Sequence, residues 1–386
     1  MKKKVGICAC YDTLNYGSML QSFATQVAID SMGYSSEYIV YKKKKTPAFI
    51  IKQLPRFLNS NLIFDKIMKI KKKNALGKYP EIELKNKTRE KAFKRFQDKY
   101  YRKFSPVYFG YDELCKAANS YDSILVGSDQ LWTPGGLGTN FYNLMFVPDE
   151  VNKISYATSF GVSSIPWYQR NRTKNYLRRI NYLSVREIKG ANLVNEIAGC
   201  PAKVVVDPTM LLTKQQWQDY IPEKRIVEEP YIFCYFLGEN PGHRNIAKEL
   251  KEKKGLPIVC TPFLDSFVEG DLQFGEYQLF DIGPDDFINL IRGAEYVLTD
   301  SFHGSVFSIL HHKKFVTLNR FDEGKQSRNS RIDSLCAILG LEDRRYRSNI
   351  LEEISSDIDY TAVDEKLMSL REESLEFLNE ALNQVI

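Results

Sequence analysis

The stretch Tyr296-Val297-Leu298-Thr299-Asp300-Ser301-Phe302-His303-Gly304-Ser305-Val306-Phe307-Ser308-Ile309-Leu310 decides how the fold is read. An apolar run of strand length ends in small polar and acidic residues, and an apolar run of helix length follows at once. A strand that passes straight into a helix is the unit of a parallel α/β sheet, because parallel neighbours need a crossover on the sheet face. The helix start offers unpaired N–H groups and positive partial charge, which together make an anion site. Gly304 would admit a ligand close to the backbone, and His303 brings the side chain that titrates near neutral pH. The same residues would also suit a plain helix N-terminus capped by Asp300 or Ser301, with an incidental histidine.

The same alternation extends in both directions. Strands are expected near residues 5–10, 37–41, 123–126, 153–157, 182–185 and 203–206, with a helix over 19–31 stopped by Gly33. Beyond Asp207-Pro208 and a polar passage over 213–230, a second series starts, with strands near 231–237, 257–260, 296–298 and 315–318. Helices are expected near 243–253, 285–292 and 303–312. The fold class is therefore α/β, with two Rossmann-like domains and a closing C-terminal helix. Residues 1–212 make the first domain, with a basic insertion at about 42–103. Residues 213–350 make the second, and 351–386 a C-terminal helical segment. Chemistry is expected at the carboxyl ends of the strands, which face the ligand crevice in such sheets. His311 and His312 are expected on the surface at the far end of their helix, and His243 at a helix start.

A chain of 386 residues with 43% hydrophobic content can bury a large core. The seven cysteines show no C-x-x-C spacing, so they read as buried reduced thiols, Cys8 and Cys10 sharing one strand face. The apolar run after Lys2-Lys3-Lys4 is too short for a signal peptide, and no run reaches the roughly 18 apolar residues of a spanning helix. A cytoplasmic protein is expected. Between residues 42 and 103 there are 21 Lys and Arg against five Asp and Glu, while the rest of the chain carries 33 against 43. A basic segment on an acidic body implies a local anionic partner. Within residues 49–73, Phe49, Ile50, Phe57, Phe64 and Ile67 alternate with Lys52, Arg56, Lys66 and Lys69, a mixture suited to lying on the inner face of a membrane.

Two further constellations stand at predicted strand ends. In Leu183-Ser184-Val185-Arg186-Glu187 the arginine could grip a carboxylate or phosphate with its planar fork, or pair with Glu187 or another local acid. In Gly127-Ser128-Asp129-Gln130-Leu131-Trp132 a turn carries a carboxylate, an amide and an indole, a set suited to sugar hydroxyls; Asp129 could equally cap a helix. The first turn, Asp12-Thr13-Leu14-Asn15-Tyr16-Gly17-Ser18, lacks G-x-G-x-x-G. Walker A and H-E-x-x-H motifs are absent as well, which argues against dinucleotide enzymes, ATPases and zinc hydrolases.

Six segments, taken in order, resemble the polysaccharide pyruvyltransferase family. They are Asn15-Tyr16-Gly17-Ser18-Met19-Leu20-Gln21, Gly127-Ser128-Asp129-Gln130-Leu131-Trp132, Ser155-Tyr156-Ala157-Thr158-Ser159-Phe160-Gly161, Ser184-Val185-Arg186-Glu187, Val206-Asp207-Pro208-Thr209 and Thr299-Asp300-Ser301-Phe302-His303-Gly304. The resemblance implies a GT-B-like fold with the acceptor on the N-terminal side and phosphoenolpyruvate on the C-terminal side, and a cyclic pyruvate ketal as product. It carries a phosphoenolpyruvate-binding arginine and histidine onto Arg186 and His303, with Gly304 and Ser305 beside them and Lys325 as phosphate neutraliser, a place for which Lys313, Lys314 and Arg328 compete. His303 would donate or relay the proton. Asp129 would orient or deprotonate an acceptor hydroxyl, with Asn15, Gln130 and Trp132 as acceptor contacts. No metal or cofactor is needed beyond the phosphoenolpyruvate donor. The acceptor would be a lipid-linked sugar, with galactose the first candidate, and no nucleic acid is expected. The rivals are a nucleotide-sugar GT-B glycosyltransferase and a non-catalytic membrane or nucleic-acid binder. The first would commonly hold ribose with an acid in the helix after the donor turn, and residues 304–312 have none. The second leaves the ordered motifs unexplained.

Overall fold

Val5 and Ile7 are fully buried and paired on both sides, which makes the first apolar run the middle of a sheet rather than its edge. The computed structural model describes residues 2–44, 79–135, 140–263, 268–320 and 329–384. β1 (Lys4–Cys8) leads into α1 (Tyr16–Ser31), whose cap Asn15 accepts from the Ser18 N–H at 3.0 Å. There follow β2 (Ser35–Lys42), α2 (Pro80–Tyr100), β3 (Phe104–Phe109), α3 (Tyr111–Ala118), β4 (Ser123–Val126) and β5 (Asn152–Ser155). Then come α4 (Trp167–Leu177), β6 (Tyr182–Val185), α5 (Ile188–Ala198) and β7 (Lys203–Val204). These seven strands form a parallel sheet in the order β3-β2-β1-β4-β5-β6-β7.

A 3-10 turn at Pro208–Met210 and α6 (Lys214–Tyr220), opened by a Thr213–Gln216 capping box, carry the chain to the second half. Its elements are β8 (Ile232–Tyr235), α7 (Pro241–Lys254), β9 (Ile258–Cys260), β10 (Tyr277–Gln278), α8 (Pro284–Gly293), β11 (Tyr296–Thr299), α9 (Phe302–Leu310) and β12 (Lys314–Thr317). The sheet order is β10-β9-β8-β11-β12, again parallel throughout. The α/β class and the two Rossmann-like halves expected from the alternation are therefore present. In each sheet the strand order reverses once, between β1 and β4 and between β8 and β11. Those reversals open the crevices in which α/β proteins bind ligands.

Three helices close the chain: α10 (Ser330–Leu339), α11 (Ile350–Ser355) and α12 (Tyr360–Asn383). α12 returns to the first half. There Ser374 Oγ accepts from the Val206 N–H at 3.0 Å, Asn152 Nδ2 donates to Ala381 O at 2.7 Å and Arg371 Nε donates to Met210 O at 2.8 Å. One continuous buried cluster runs from Val5 and Ile7 through Phe23 to Phe233, Phe287 and Phe315, so the halves share a core. At its seam Tyr16 of α1 stacks on Phe287 of α8, with ring centroids 4.8 Å apart.

Some of the described cations of the basic segment are matched within the chain. α2 turns Ile82, Ala92, Phe93 and Phe96 inward, while Arg95 pairs with Asp281 of the second half at 2.5 Å and Lys85 lies over the Phe280 ring. The membrane-docking expectation for residues 49–73 and the assignment of Lys325 fall outside the described residues. Among the described residues no helix is long and apolar enough to cross a membrane. His311, expected at the surface, is buried with neither ring nitrogen hydrogen-bonded, because α9 is enclosed along its whole length. His312, one residue further, is part-exposed and pairs with Asp364.

Candidate active site

His303 sits in the first turn of α9, where Ser301 caps the helix by accepting from the Gly304 N–H at 3.4 Å. Its ring is wedged between the halves. On one side it lies so close to Gly17 of α1 that a Cβ there would overlap Nδ1. On the other, Nε2 stands 3.7 Å from Asp207 Oδ1 with no hydrogen-bond partner of its own. Gly17 is therefore the residue whose missing side chain makes room for the imidazole.

Asp207 is fully buried and held from several directions. Its Oδ1 accepts from the Thr209 N–H and hydroxyl at 3.1 and 2.7 Å, and Oδ2 from Ser128 Oγ at 2.8 Å and Arg186 Nη1 at 2.7 Å. Burial alone would raise this carboxyl, but His303, Arg186 and Thr209 keep it well below the usual carboxylate range. It is an anion facing an imidazole.

Asp129 follows β4 at φ +84°, a left-handed conformation that costs a non-glycine residue about 1–3 kcal/mol. The Ser159 and Leu131 N–H groups hold its carbonyl, and its carboxylate accepts from Ser18 of α1 and from the Gln130 N–H. Burial again opposes ionisation and is outweighed, here by Arg186, His303, Ser18 and Arg331, so the pKa is lowered. Lowering the pKa makes the carboxylate a weaker base, which favours orienting a hydroxyl over deprotonating one.

Arg186 departs from an open anion clamp. Its side chain is 1% exposed and ringed by acids: Asp207 at 2.7 Å, Asp129 at 3.3 Å and Glu187 at 3.7 Å. The ion pairing left open in the sequence is what is built here, and the fork is spent on the protein's own carboxylates. A guanidinium that sequence reasoning missed lies alongside. Arg331, in the first turn of α10, shares the Phe302 ring with Arg186, their guanidinium carbons 6.0 and 4.8 Å from its centroid. It faces a neutral amide, Gln130, which accepts from it at 2.6 and 3.1 Å when the amide is turned with its oxygen towards the guanidinium, and Nε is buried without a partner. Burial first, then Arg186, pull its pKa down to about 9. It stays cationic at neutral pH, and an incoming anion would relieve that cost.

The other expected residues divide. Asn15 caps α1 one turn from the Ser18–Asp129 contact, and Gln130 faces Arg331. Trp132 is placed differently from its expected role. It is fully buried against Phe160 and Tyr176, with its indole N–H donated to Tyr142 O at 3.0 Å, and so has no polar group to offer a sugar. Ser305 is likewise engaged, its N–H and hydroxyl both donating to Ser301 O at 3.0 Å. Gly304 is small for a reason other than ligand approach, since a Cβ there would strike Thr299 of β11. The first-turn N–H groups of Phe302 and His303 are the ones that helix geometry leaves over.

All six quoted segments meet in this network: Gly17 and Ser18, Ser128 and Asp129, Ser159 on Glu187 at 2.6 Å, Arg186, Asp207 and His303. A sequence model of polysaccharide pyruvyl transferases matches residues 15–322, a span that holds every one of them. The chain belongs to the polysaccharide pyruvyl transferase family. No curated protein matches it by sequence.

Solved structures similar to this transferase include the UDP-GlcNAc 2-epimerase of Methanocaldococcus jannaschii. The two are 10% identical, covering 95% of this chain and 92% of that one, with a TM-score of 0.51. An α-glucosyltransferase in complex with UDP and DNA is 11% identical, over 100% and 96% of the two chains, with a TM-score of 0.50. At such identities the likeness is one of fold, and it makes the transferase a GT-B protein. Membership of the family makes a sugar the acceptor.

Proposed function

We propose that the protein transfers the pyruvyl group of phosphoenolpyruvate onto two hydroxyls of a hexose, galactose first among them, giving a cyclic ketal in surface polysaccharide assembly. The observation that carries this reading is the imidazole of His303 facing the Asp207 carboxylate at the start of α9, with the Arg331 guanidinium in the same network. That arrangement combines a proton donor with sites for a trianionic substrate. His303, as imidazolium backed by the Asp207 carboxylate, gives a proton to the methylene carbon of phosphoenolpyruvate, leaving positive charge on C2. A sugar hydroxyl oriented by Asp129 and Asn15 adds there and loses its proton to solvent or to His303. The second hydroxyl then displaces phosphate, which departs with the second proton. Arg331, the N–H groups at the start of α9 and Lys325 neutralise the carboxylate and the leaving phosphate. Arg186 holds Asp207 and Asp129 in place.

The acceptor is a lipid-linked glycan presented at the inner membrane face, and the protein is cytoplasmic, docked there through residues 49–73. Cosedimentation with phosphatidylglycerol vesicles at low salt tests the docking, and absence of the protein from the pellet removes it. Incubation with phosphoenolpyruvate and a galactosyl acceptor tests the chemistry. Phosphate release matched by an acceptor mass gain of pyruvate less one water is expected. Turnover of a UDP-sugar in its place would overturn the reading in favour of a glycosyltransferase.

A further inference from the structure

Next to the loop after β1 the first sheet carries a recess of about 310 Å3, at the lower end of the roughly 300–1,000 Å3 common for small-molecule sites. Four aromatic side chains line it. Tyr41 stacks on Phe141 with centroids 5.5 Å apart, Phe141 stands 5.1 Å from Tyr142, and Tyr11 completes the wall. Polar groups are scattered among the rings: the Tyr142 hydroxyl, 3.7 Å from Cys10 Sγ, the Asp12 carboxylate, the Thr13 hydroxyl and the Lys43 side chain. Thr13 Oγ1 is buried with no hydrogen-bond partner. A hydroxyl in that state costs stability until water or a ligand satisfies it.

The recess borders the catalytic network without being part of it. The Gly127 N–H donates to Cys8 O at 3.0 Å, and a side chain on Gly127 would point at Ala9 of the recess wall. Asp129 is two residues further on. Cys10 in the same wall feels the Asp129 charge, which adds to burial in pushing its thiol up to about 12. Aromatic faces with a few hydroxyls, and with one carboxylate offset by one lysine, suit a neutral, hydroxylated ring.

We infer that this recess is the acceptor subsite, holding the acceptor's pyranose ring against Tyr11, Tyr41, Phe141 and Tyr142 with its hydroxyl pair turned towards Asp129. The inference rests on the pyruvyl-transfer reading and supplies the sugar contacts that Trp132 cannot make. Two measurements on the full chain test it, with Tyr41→Ala and Thr13→Val as variants and Tyr41→Phe as the conservative control. With p-nitrophenyl β-galactoside varied at saturating phosphoenolpyruvate, Tyr41→Ala should raise the acceptor KM about tenfold or more while kcat and the donor KM stay near the parent's. Tyr41→Phe should restore most of the loss. Without any donor, saturation-transfer NMR should show p-nitrophenyl glycosides of galactose, glucose or mannose bound by the parent and released in Tyr41→Ala. Parent-like acceptor KM and saturation transfer in Tyr41→Ala would overturn the inference, as would a parent that binds none of the three glycosides. Glycoside binding that depends on Tyr41 in a protein releasing no phosphate from phosphoenolpyruvate would instead leave the recess standing and remove the donor reading.

Discussion

His303 gathers most of the chemistry at the residue scale. Its replacement by alanine should lower turnover by roughly 10²–10⁴, the range for loss of a general acid or base, with a thermal melt close to the parent's. Near-parent turnover would take His303 out of the mechanism. The two arginines should part company. Arg331→Gln is expected to raise the phosphoenolpyruvate KM by about tenfold or more with little change in melting temperature, because it removes a cation that, among the described residues, no carboxylate holds by a hydrogen bond. Arg186→Ala should instead destabilise the fold by about 3–5 kcal/mol, since it strands buried carboxylates; urea titration of the two variants separates the roles. His303, Asp129 and Arg186 were legible in the sequence because each ends an apolar strand where a crevice had to be. Arg331 was not, because its role depends on α10 folding back over the Phe302 ring, and nothing local in Asn329-Ser330-Arg331 announces that. Trp132 misled for the opposite reason: beside polar residues it looked like a binding group, but its large apolar surface was claimed by the core.

At the scale of elements, the meeting of α1 with α9 sets the active geometry. Gly17→Ala should cost about 10²-fold in turnover, the scale of an ångström's displacement of a catalytic group, while the isolated change should slightly favour the α1 helix. Parent-like kinetics in that variant would mean that the ring can yield without penalty. The strand-to-helix alternation made the central strands readable, and Asn15 as the cap explains why α1 starts three residues before the expected position. α2 was hidden by its own composition. Ile82, Phe93 and Phe96 keep a helical spacing, but they sit among so many lysines and arginines that only the charge was read. β10, two residues long, is too short to leave a periodic signal.

On the scale of the whole molecule, acid should be the solvent condition that undoes the fold. Buried His311 is held neutral, with burial pulling its pKa down to about 2, whereas in the unfolded chain it takes a proton near pH 6.5. Its contribution is complete above about pH 6.5 and declines below, by roughly 2 kcal/mol at pH 5. Asp207 and Asp129, whose folded pKa values lie below their unfolded ones, add stability that is present above about pH 4 and lost as the pH falls through the folded values. Urea midpoints measured from pH 7 to pH 4 should fall steadily, and His311→Phe should flatten the section between pH 6.5 and 5. An unchanged slope in that variant would show that His311 is protonated in the native protein. The acid–carboxylate pair at the centre has one more property. Asp207 comes from the first half and His303 from the second, so neither half owns the machinery. Any movement that parted the halves would therefore disarm the imidazole, and water entering then would find no assembled catalyst with which to squander the donor.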